Sequence, residues 1–580
     1  THPAPLWWLG DPTLLAAFWR YERALMTNDI AELDVLFAAG PDTVRSEGGS
    51  ALIGHDAIAA FRATRPPVPQ RFLRRVHLRT LDENSAVIIA ESVRRDGGTG
   101  SQTQLWQRAD TSSAWAVTVA HVSIVPGVQF STHLLTGEEE RAIWATPEKR
   151  RPLIESQPYA SGSKHVGALA GIRVAVKDLF AIAGEVIGAG NPSFAATRRP
   201  ETVTSAAVQA LITAGAEITG LAQTDELAFS IAGTNLHFGT PPNPAAPGHI
   251  TGGSTSGPAS AVALGLADLA LGTDTAGSIR VPGSYTGLFG LRTTHNAVSR
   301  AGLVGLAPSF DTVGVLARDL RILHAGAVAL LATGTPASPA PAAADVSLHP
   351  IDSDLLAGSP HAGLSHAGLP HVVAPAAAST PITTILTDPA LTALADDNTQ
   401  LSFGAALRAL ALNSGASVAP NAASTSLDPA ALDAWFTAFR IVQQFEAWAE
   451  DGDFVTANPG ALDPAIAERF RIAAQITDSQ AQDARATLAR ATATLEAAIP
   501  LGSALALPTT SSAAPSTTAS PAEIDRVRTA TLRLTSLASL SGLPALTIPY
   551  GRVGTLPLGF CLLGPRGSDL QLIALAQPRA

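Results

Sequence analysis

Cysteine is nearly absent from this 580-residue chain: the single Cys561 has no partner for an intrachain disulfide and cannot build a Cys-based zinc or iron–sulfur site. Lysine is almost as scarce. Of 38 basic residues only Lys149, Lys164 and Lys177 are lysines, and the other 35 are arginines. Basic excess is missing too, since 48 acidic residues leave a net charge of −10, so the chain offers no footprint for a phosphate backbone and nucleic acid is not an expected partner. Charged residues make up 15% and hydrophobic ones 46%, a balance that excludes disorder and predicts a large buried fraction. The nearest thing to a membrane span, the uncharged stretch 322–344, carries His324 and several prolines and glycines where a span needs about 20 apolar residues. No charged and then apolar leader follows the opening Thr-His-Pro-Ala-Pro. The expectation is a cytoplasmic protein with no membrane partner and no export signal. No His-Glu-x-x-His or comparable cluster occurs, so neither a metal nor a cofactor is expected.

The length predicts two to four domains at roughly 100–200 residues each. Asp11-Pro12 is an N-cap with proline in the first turn, and Leu14, Leu15, Phe18, Tyr21 and Leu25 recur at helical spacing, so residues 11–38 read as a helical opening. A short helix over 56–62 follows, then strand-like runs at 71–81, 85–94, 101–108 and 114–124, joined by turn signals such as Asp82-Glu83-Asn84. Helices followed by a meander make an α+β domain over residues 1–132. Residues 133–160, rich in charge runs, read as a linking helix. From 161 to 580 the pattern is a mixed α/β core, with apolar strands at 172–176, 216–221, 269–272, 545–549 and 558–563. Helical stretches fall at 202–214, 257–267, 428–450 and 462–498. The Ala/Pro/Ser tract at 332–345 reads as a surface loop.

Two glycine–serine clusters stand out: Thr251-Gly-Gly-Ser254-Thr255-Ser256-Gly257 and Gly272-Thr273-Asp274-Thr275-Ala276-Gly277-Ser278-Ile279-Arg280. The bland explanation of one such cluster is a flexible connector. A second cluster beyond an apolar helix suits converging backbone N–H groups that hold a phosphate or a developing oxyanion. A Walker-type phosphate loop needs a Gly-Lys-Ser/Thr ending, and no lysine lies near either cluster. Acyl transfer also needs a base. There is no Gly-x-Ser-x-Gly elbow, and Ser161-x-x-Lys164 lacks the Lys-Thr-Gly partner of penicillin-binding enzymes. Lys177 ends the apolar run 172–176; it is either a strand-end lysine that snorkels to solvent or pairs with Asp178, or a desolvated amine able to act as a base. A chain that uses arginine almost everywhere favours a chemical reason for a lysine here, because only the amine can give up its proton.

These residues resemble the amidase signature family over roughly 165–570. The resemblance is carried by 171–180, 224–230, 238–244, 252–257, 272–282, 290–293, 309–314 and 542–549, with Ser254 and Ser278 spaced 24 residues apart as in the family. Gly190-Asn191-Pro192 and the 239–244 segment look most like indole-3-acetamide hydrolases of plant type. The resemblance implies an α/β amidase signature fold, a mixed sheet covered by helices, and a Lys177–Ser254–Ser278 triad. In it Ser278 is the nucleophile that forms the acyl-enzyme, Ser254 the bridging serine after a cis peptide, and Lys177 the base. It also implies an oxyanion hole from the N–H groups of Thr275, Ala276, Gly277 and Ser278, with Thr255, Asp274 and Arg280 in support. Substrate contacts are expected at Ala228, Ser230, Ile231 and Gly253. Thr255 replaces the family's usual serine, and Pro258 and Ala276 also depart from its pattern.

The first 132 residues resemble, less specifically, the α+β cone of nuclear-transport-factor and ketosteroid-isomerase relatives, in particular the small domains that accompany amidases of the cyanuric acid pathway. Such cones often pair by their sheets, which implies a homodimer. His77, His121, Trp106 and Trp115 could line a pocket there, with a satisfied core the favoured reading. The function implied is hydrolysis of the C–N bond of a small carboxamide, releasing ammonia or an amine. Ureido or carboxybiuret-like amides are the alternative substrates, and a non-catalytic scaffold or an amidotransferase subunit are the lesser alternatives.

Overall fold

Asp11 accepts the Thr13 N–H and Pro12 takes the first helical position, so the helix Pro12–Thr27 begins where the sequence predicts. The computed structural model describes residues 11–47, 50–64, 71–94, 99–125, 135–145, 167–334, 380–420 and 427–577. Two compact units divide the chain, residues 1–132 and 133–580.

In the first unit the helical opening is two helices rather than one. Asn28, in the left-handed conformation (φ 53°), ends the first, and the Asp29 side chain caps the second, Ile30–Val35, by accepting the Glu32 N–H. Six strands follow around the helix His55–Thr64: β1 (Val44–Glu47), β2 (Ser50–Ile53), β3 (Arg71–Asp82), β4 (Ser85–Arg94), β5 (Thr99–Gln107) and β6 (Ala116–Val125). They form one sheet in the order β2-β1-β6-β5-β4-β3, antiparallel except where β1 runs parallel to β6. The sequence pattern misses β1 and β2, which carry Arg45, Ser46, Glu47 and Ser50 in place of an apolar alternation.

Leu14, Phe18, Tyr21 and Leu25 pack against Ile88, Trp106 and Val117 in one buried cluster. Both tryptophans belong to that core with their N–H groups satisfied, Trp106 by Gln104 at 3.2 Å and Trp115 by Thr13 at 3.1 Å. The two histidines do not join them. His77 and His121 are exposed, bonded to Glu91 at 3.0 Å and Ser46 at 2.8 Å.

The second unit is built on ten strands. They are β7 (Arg173–Lys177), β8 (Glu217–Ala222), β9 (Leu269–Thr273), β10 (Phe289–Arg292), β11 (Val313–Ala317), β12 (Thr384–Thr387), β13 (Ser417–Pro420), β14 (Ser503–Pro508), β15 (Ala545–Val553) and β16 (Leu556–Leu563). The order is β13-β12-β14-β16-β15-β10-β11-β9-β7-β8. β7 runs parallel to both β8 and β9, and β12 parallel to β13 and β14; the other neighbours are antiparallel. The mixed sheet agrees with the sequence-based expectation.

Side chains alternate across that sheet. Val174, Val176, Leu269 and Leu271 enter one core cluster, whereas Ala175 and Ala270 point the other way, onto Ala259 and Val262 of the helix Ser256–Ala263. Small residues on that face let the wholly buried helix lie close to the strands, which brings the segment preceding it to the carboxyl ends of β7 and β9. Elsewhere the predicted helix over 428–450 runs on as Pro429–Ala457, and 462–498 is split into Pro464–Ala473 and Asp478–Ala498 by a capping box at Thr477 and Gln480. Of the predicted linking helix, Gly137–Ile143 is observed, ending at Trp144 in extended conformation; residues 133–134 and 146–160, Lys149 among them, Ser161, Lys164 and most of the 332–345 tract lie outside the described residues.

Trp106→Ala is expected to lower the stability of the first unit by about 3–5 kcal/mol. Urea unfolding of the full chain measures this, and an unmoved first transition would contradict it.

Candidate active site

Lys177 closes β7 with its side chain fully out of solvent. Its Nζ lies 2.7 Å from Ser254 Oγ and 2.8 Å from Thr273 Oγ1, and donates to both. The bland alternatives do not hold: the amine does not reach water, and the adjacent Asp178 carboxylate accepts the Gly188 N–H instead. Burial drives the Lys177 amine down to about 7, and the negative charges of Asp225, Asp311 and Asp274 oppose that shift without cancelling it. Thr273, at the end of the neighbouring strand β9, is a partner that the sequence motifs did not single out. The Gly253–Ser254 peptide is cis.

The second glycine–serine cluster is organised around Asp274. Its carboxylate accepts from the Gly277 N–H (3.0 Å), the Ile279 N–H (3.2 Å), Arg280 Nε and Nη2 (2.9 and 2.7 Å) and Arg292 Nη1 (3.1 Å). Burial alone would raise the Asp274 carboxyl, but Arg280 and Arg292 outweigh it and hold the group well below the usual carboxylate range. The turn is pinned on its other side, where Thr535 Oγ1 donates to the Ala276 carbonyl at 2.6 Å and Thr275 Oγ1 donates to Asp311 at 2.6 Å. Gly277 has φ +123°, a conformation that side chains disfavour. Thr255 keeps a supporting role, with its N–H on the Ser278 carbonyl and its hydroxyl on the Thr273 carbonyl, both at 3.3 Å.

The Gly277 N–H is committed to Asp274, so of the four predicted oxyanion donors only those of Thr275, Ala276 and Ser278 have no acceptor among the described residues. Ser278 is buried, and its hydroxyl makes no hydrogen bond to Ser254 in this state. Its side lines a cavity of about 10 Å³, near the room one water requires, together with Ala228, Ser230 and Ile231. Gly253 is not on that wall. Its N–H donates to the Ile231 carbonyl at 2.9 Å, and a Cβ there would fall within 2.5 Å of the Asp225 carboxylate, so the close approach itself requires glycine. Gln443 and Arg528 also line the cavity; both come from helices without a motif, and no sequence signal marked them. Cys561 is buried and its thiol is pushed up to about 11, mainly by burial. Among the described residues no group of three or more His, Cys, Asp or Glu could hold a metal ion, and no helix is long and apolar enough to cross a membrane.

A mixed ten-stranded sheet, with a buried amine at one strand end facing two glycine-rich turns, defines the class of amidase-fold proteins. The Amidase family matches residues 144–331 and the AtzH-like family residues 12–127. Amidase 1 of Arabidopsis thaliana is 32% identical over 434 residues, covering 72% of this chain and 95% of that protein. The chain therefore belongs to the amidase family, with an AtzH-like unit before its amidase unit. A pea protein named translocon at the outer membrane of chloroplasts 64 is 45% identical over 156 residues, 27% of this chain and 26% of its own length. Among solved structures, an allophanate hydrolase of Kluyveromyces lactis superposes with a TM-score of 0.56 at 26% identity, covering 70% of this chain and 61% of that one.

Asp274→Ala would leave two buried guanidinium groups without their carboxylate, which is expected to cost roughly 3–5 kcal/mol of stability. A thermal unfolding midpoint equal to that of the unaltered chain would contradict this.

Proposed function

We propose that the chain is a serine amidohydrolase that cleaves the C–N bond of a small carboxamide. The observation that carries the reading is the fully buried Lys177 amine, near neutral pH in its proton affinity, 2.7 Å from Ser254 Oγ. In this reading Ser278 attacks the amide carbon, its proton passes to Ser254, and the Ser254 proton passes to neutral Lys177. The oxygen of the tetrahedral intermediate is held by the N–H groups of Thr275, Ala276 and Ser278. Proton return through the same relay releases ammonia or an amine, and water then repeats the cycle on the acyl-enzyme. The Ser278–Ser254 contact closes when substrate is bound, as hydrogen bonds at unliganded catalytic sites commonly do. Ureido amides are the second reading, favoured by the likeness to the K. lactis allophanate hydrolase. Retention of Lys177, Ser254 and Ser278 speaks against a scaffold, and turnover by the purified chain alone would set aside an amidotransferase subunit.

We also propose that the chain forms a homodimer through the sheet of its first unit, where Leu81 on β3 and Val119 on β6 are exposed. Light scattering should return twice the chain mass; a monomer mass would contradict the pairing.

Ser278→Ala is expected to abolish ammonia release from a panel of aryl, alkyl and ureido amides, and Lys177→Ala to slow it by about 10²–10⁴-fold. Because burial lowers the Lys177 amine from 10.5 to about 7, the active neutral form accumulates above that pH and disappears below it. The value of kcat/KM should therefore rise through about pH 7 and reach a plateau. A profile flat from pH 5 to 9, or full activity in Lys177→Ala, would remove the base from the mechanism.

A further inference from the structure

Asp225 lies three residues beyond the end of β8, whose last residue, Ala222, is in register with Lys177 on β7. Its N–H donates to the Ser254 carbonyl at 3.3 Å, and its carboxylate is pressed so close to Gly253 that no Cβ fits between them. Asp225 and Lys177 therefore flank the same residue, since Ser254 Oγ is the partner of the Lys177 amine. The Asp225 side chain is fully buried. Its Oδ2 accepts the Gly233 N–H at 2.9 Å, while Oδ1 has no hydrogen-bond partner among the described residues. The other acids around Lys177 are occupied on both oxygens or turned away. Asp274 pairs with Arg280 and Arg292, Asp311 accepts from Thr275 Oγ1 and from the Leu306 and Ala307 N–H groups, and Asp178 accepts the Gly188 N–H. Two cations feel the Asp225 charge, Lys177 and Arg469, and Arg469 is engaged with the Phe229 carbonyl. Burial raises the Asp225 carboxyl, and the Gly233 N–H and the charge of Lys177 work against that. Asp225 and Lys177 thus favour each other's charged forms.

A lysine that acts as a base starts neutral and ends as an ammonium. Buried in protein, that ammonium is costly without an anion in reach, and the Ser254 and Thr273 hydroxyls carry no charge to offset it. A carboxylate in direct contact would hold the ammonium from the outset. One set behind the Ser254 turn favours the ammonium and still leaves the resting amine free to give up its proton. Resting on the reading of Lys177 as base, we infer that Asp225 is its positioning residue, holding the Gly253–Ser254 turn and supplying the negative charge that Lys177 faces once the Ser254 proton arrives. Asp225 takes no proton itself. The proton moves from Ser278 to Ser254 and from Ser254 to Lys177 as the Ser278 oxygen bonds the amide carbon, and it leaves by the same route with the departing nitrogen.

The test records kcat/KM for ammonia release by the full chain from about pH 5 to about pH 9, on whichever amide of the panel it hydrolyses fastest. Asp225→Asn keeps the shape and removes the charge, so the midpoint of the rise should move down by about 1 pH unit from its place near 7. The plateau should fall by about 3–10-fold, because the ammonium formed during attack loses its counter-charge. At about pH 5 the variant is then at least as active as the unaltered chain, and at about pH 9 it is slower by the full factor, a crossing that a loosened fold does not produce. Asp225→Glu, which restores the charge, should return the midpoint to about 7. An unchanged midpoint in Asp225→Asn, activity lowered by one factor at every pH, or a Glu variant with the Asn midpoint overturns the assignment. Should the Asn variant fail to fold, Asp225→Ser is read in the same way, and failure of both makes the carboxylate a requirement of folding and overturns it too. Full activity in Lys177→Ala, or no amide hydrolysed by the unaltered chain, removes the base reading and this inference together. An unchanged Asn midpoint beside a slow Lys177→Ala removes the role of Asp225 alone.

Discussion

The site depends on one desolvation. An amine in water holds its proton to about pH 10.4, and as such Lys177 would be a cation paired with whatever carboxylate lay nearest. Enclosed at the end of β7, it meets two hydroxyl oxygens, and the nearest carboxylate in sequence, Asp178, turns away to bond a backbone N–H. Hydroxyls satisfy the hydrogen-bonding needs of an amine without supplying the charge that would stabilise its cation. The acidic groups that do act on it, Asp225, Asp311 and Asp274, do so through space and recover only part of the loss. Place a carboxylate where Thr273 stands and the amine would remain an ammonium, with no lone pair to receive a proton.

That arrangement puts a constraint on everything around it, because an amine held between two hydroxyls keeps its contacts only if its partners cannot wander. The Asp274 carboxylate supplies the rigidity, drawing backbone N–H groups and two arginines onto one point and so fixing the turn that holds Ser278. The same carboxylate is charged and fully enclosed, which is tolerable only because Arg280 and Arg292 neutralise it. Two buried ionisable groups of the site are therefore handled in opposite ways. Asp274 is kept charged by pairing, and Lys177 is kept close to neutral by having none.

Much of this was visible in the sequence, and the reason is local chemistry. Lysine was rare enough for Lys177 to need a cause, and Ser254 and Ser278 sat in glycine-rich turns whose backbone must approach something closely. The elements that position them were readable as well, since β7 and β9 are short apolar runs and the helix Ser256–Ala263 follows a Gly-Ser start. What stayed hidden was long-range. Thr273 meets Lys177 across 96 positions and Thr535 meets Ala276 across 259, distances over which no spacing rule operates. Gln443 and Arg528 come from helices whose periodicity speaks only of packing. The commitment of the Gly277 N–H to Asp274 was likewise invisible, because the motif places both residues in one loop without saying which donors the loop consumes.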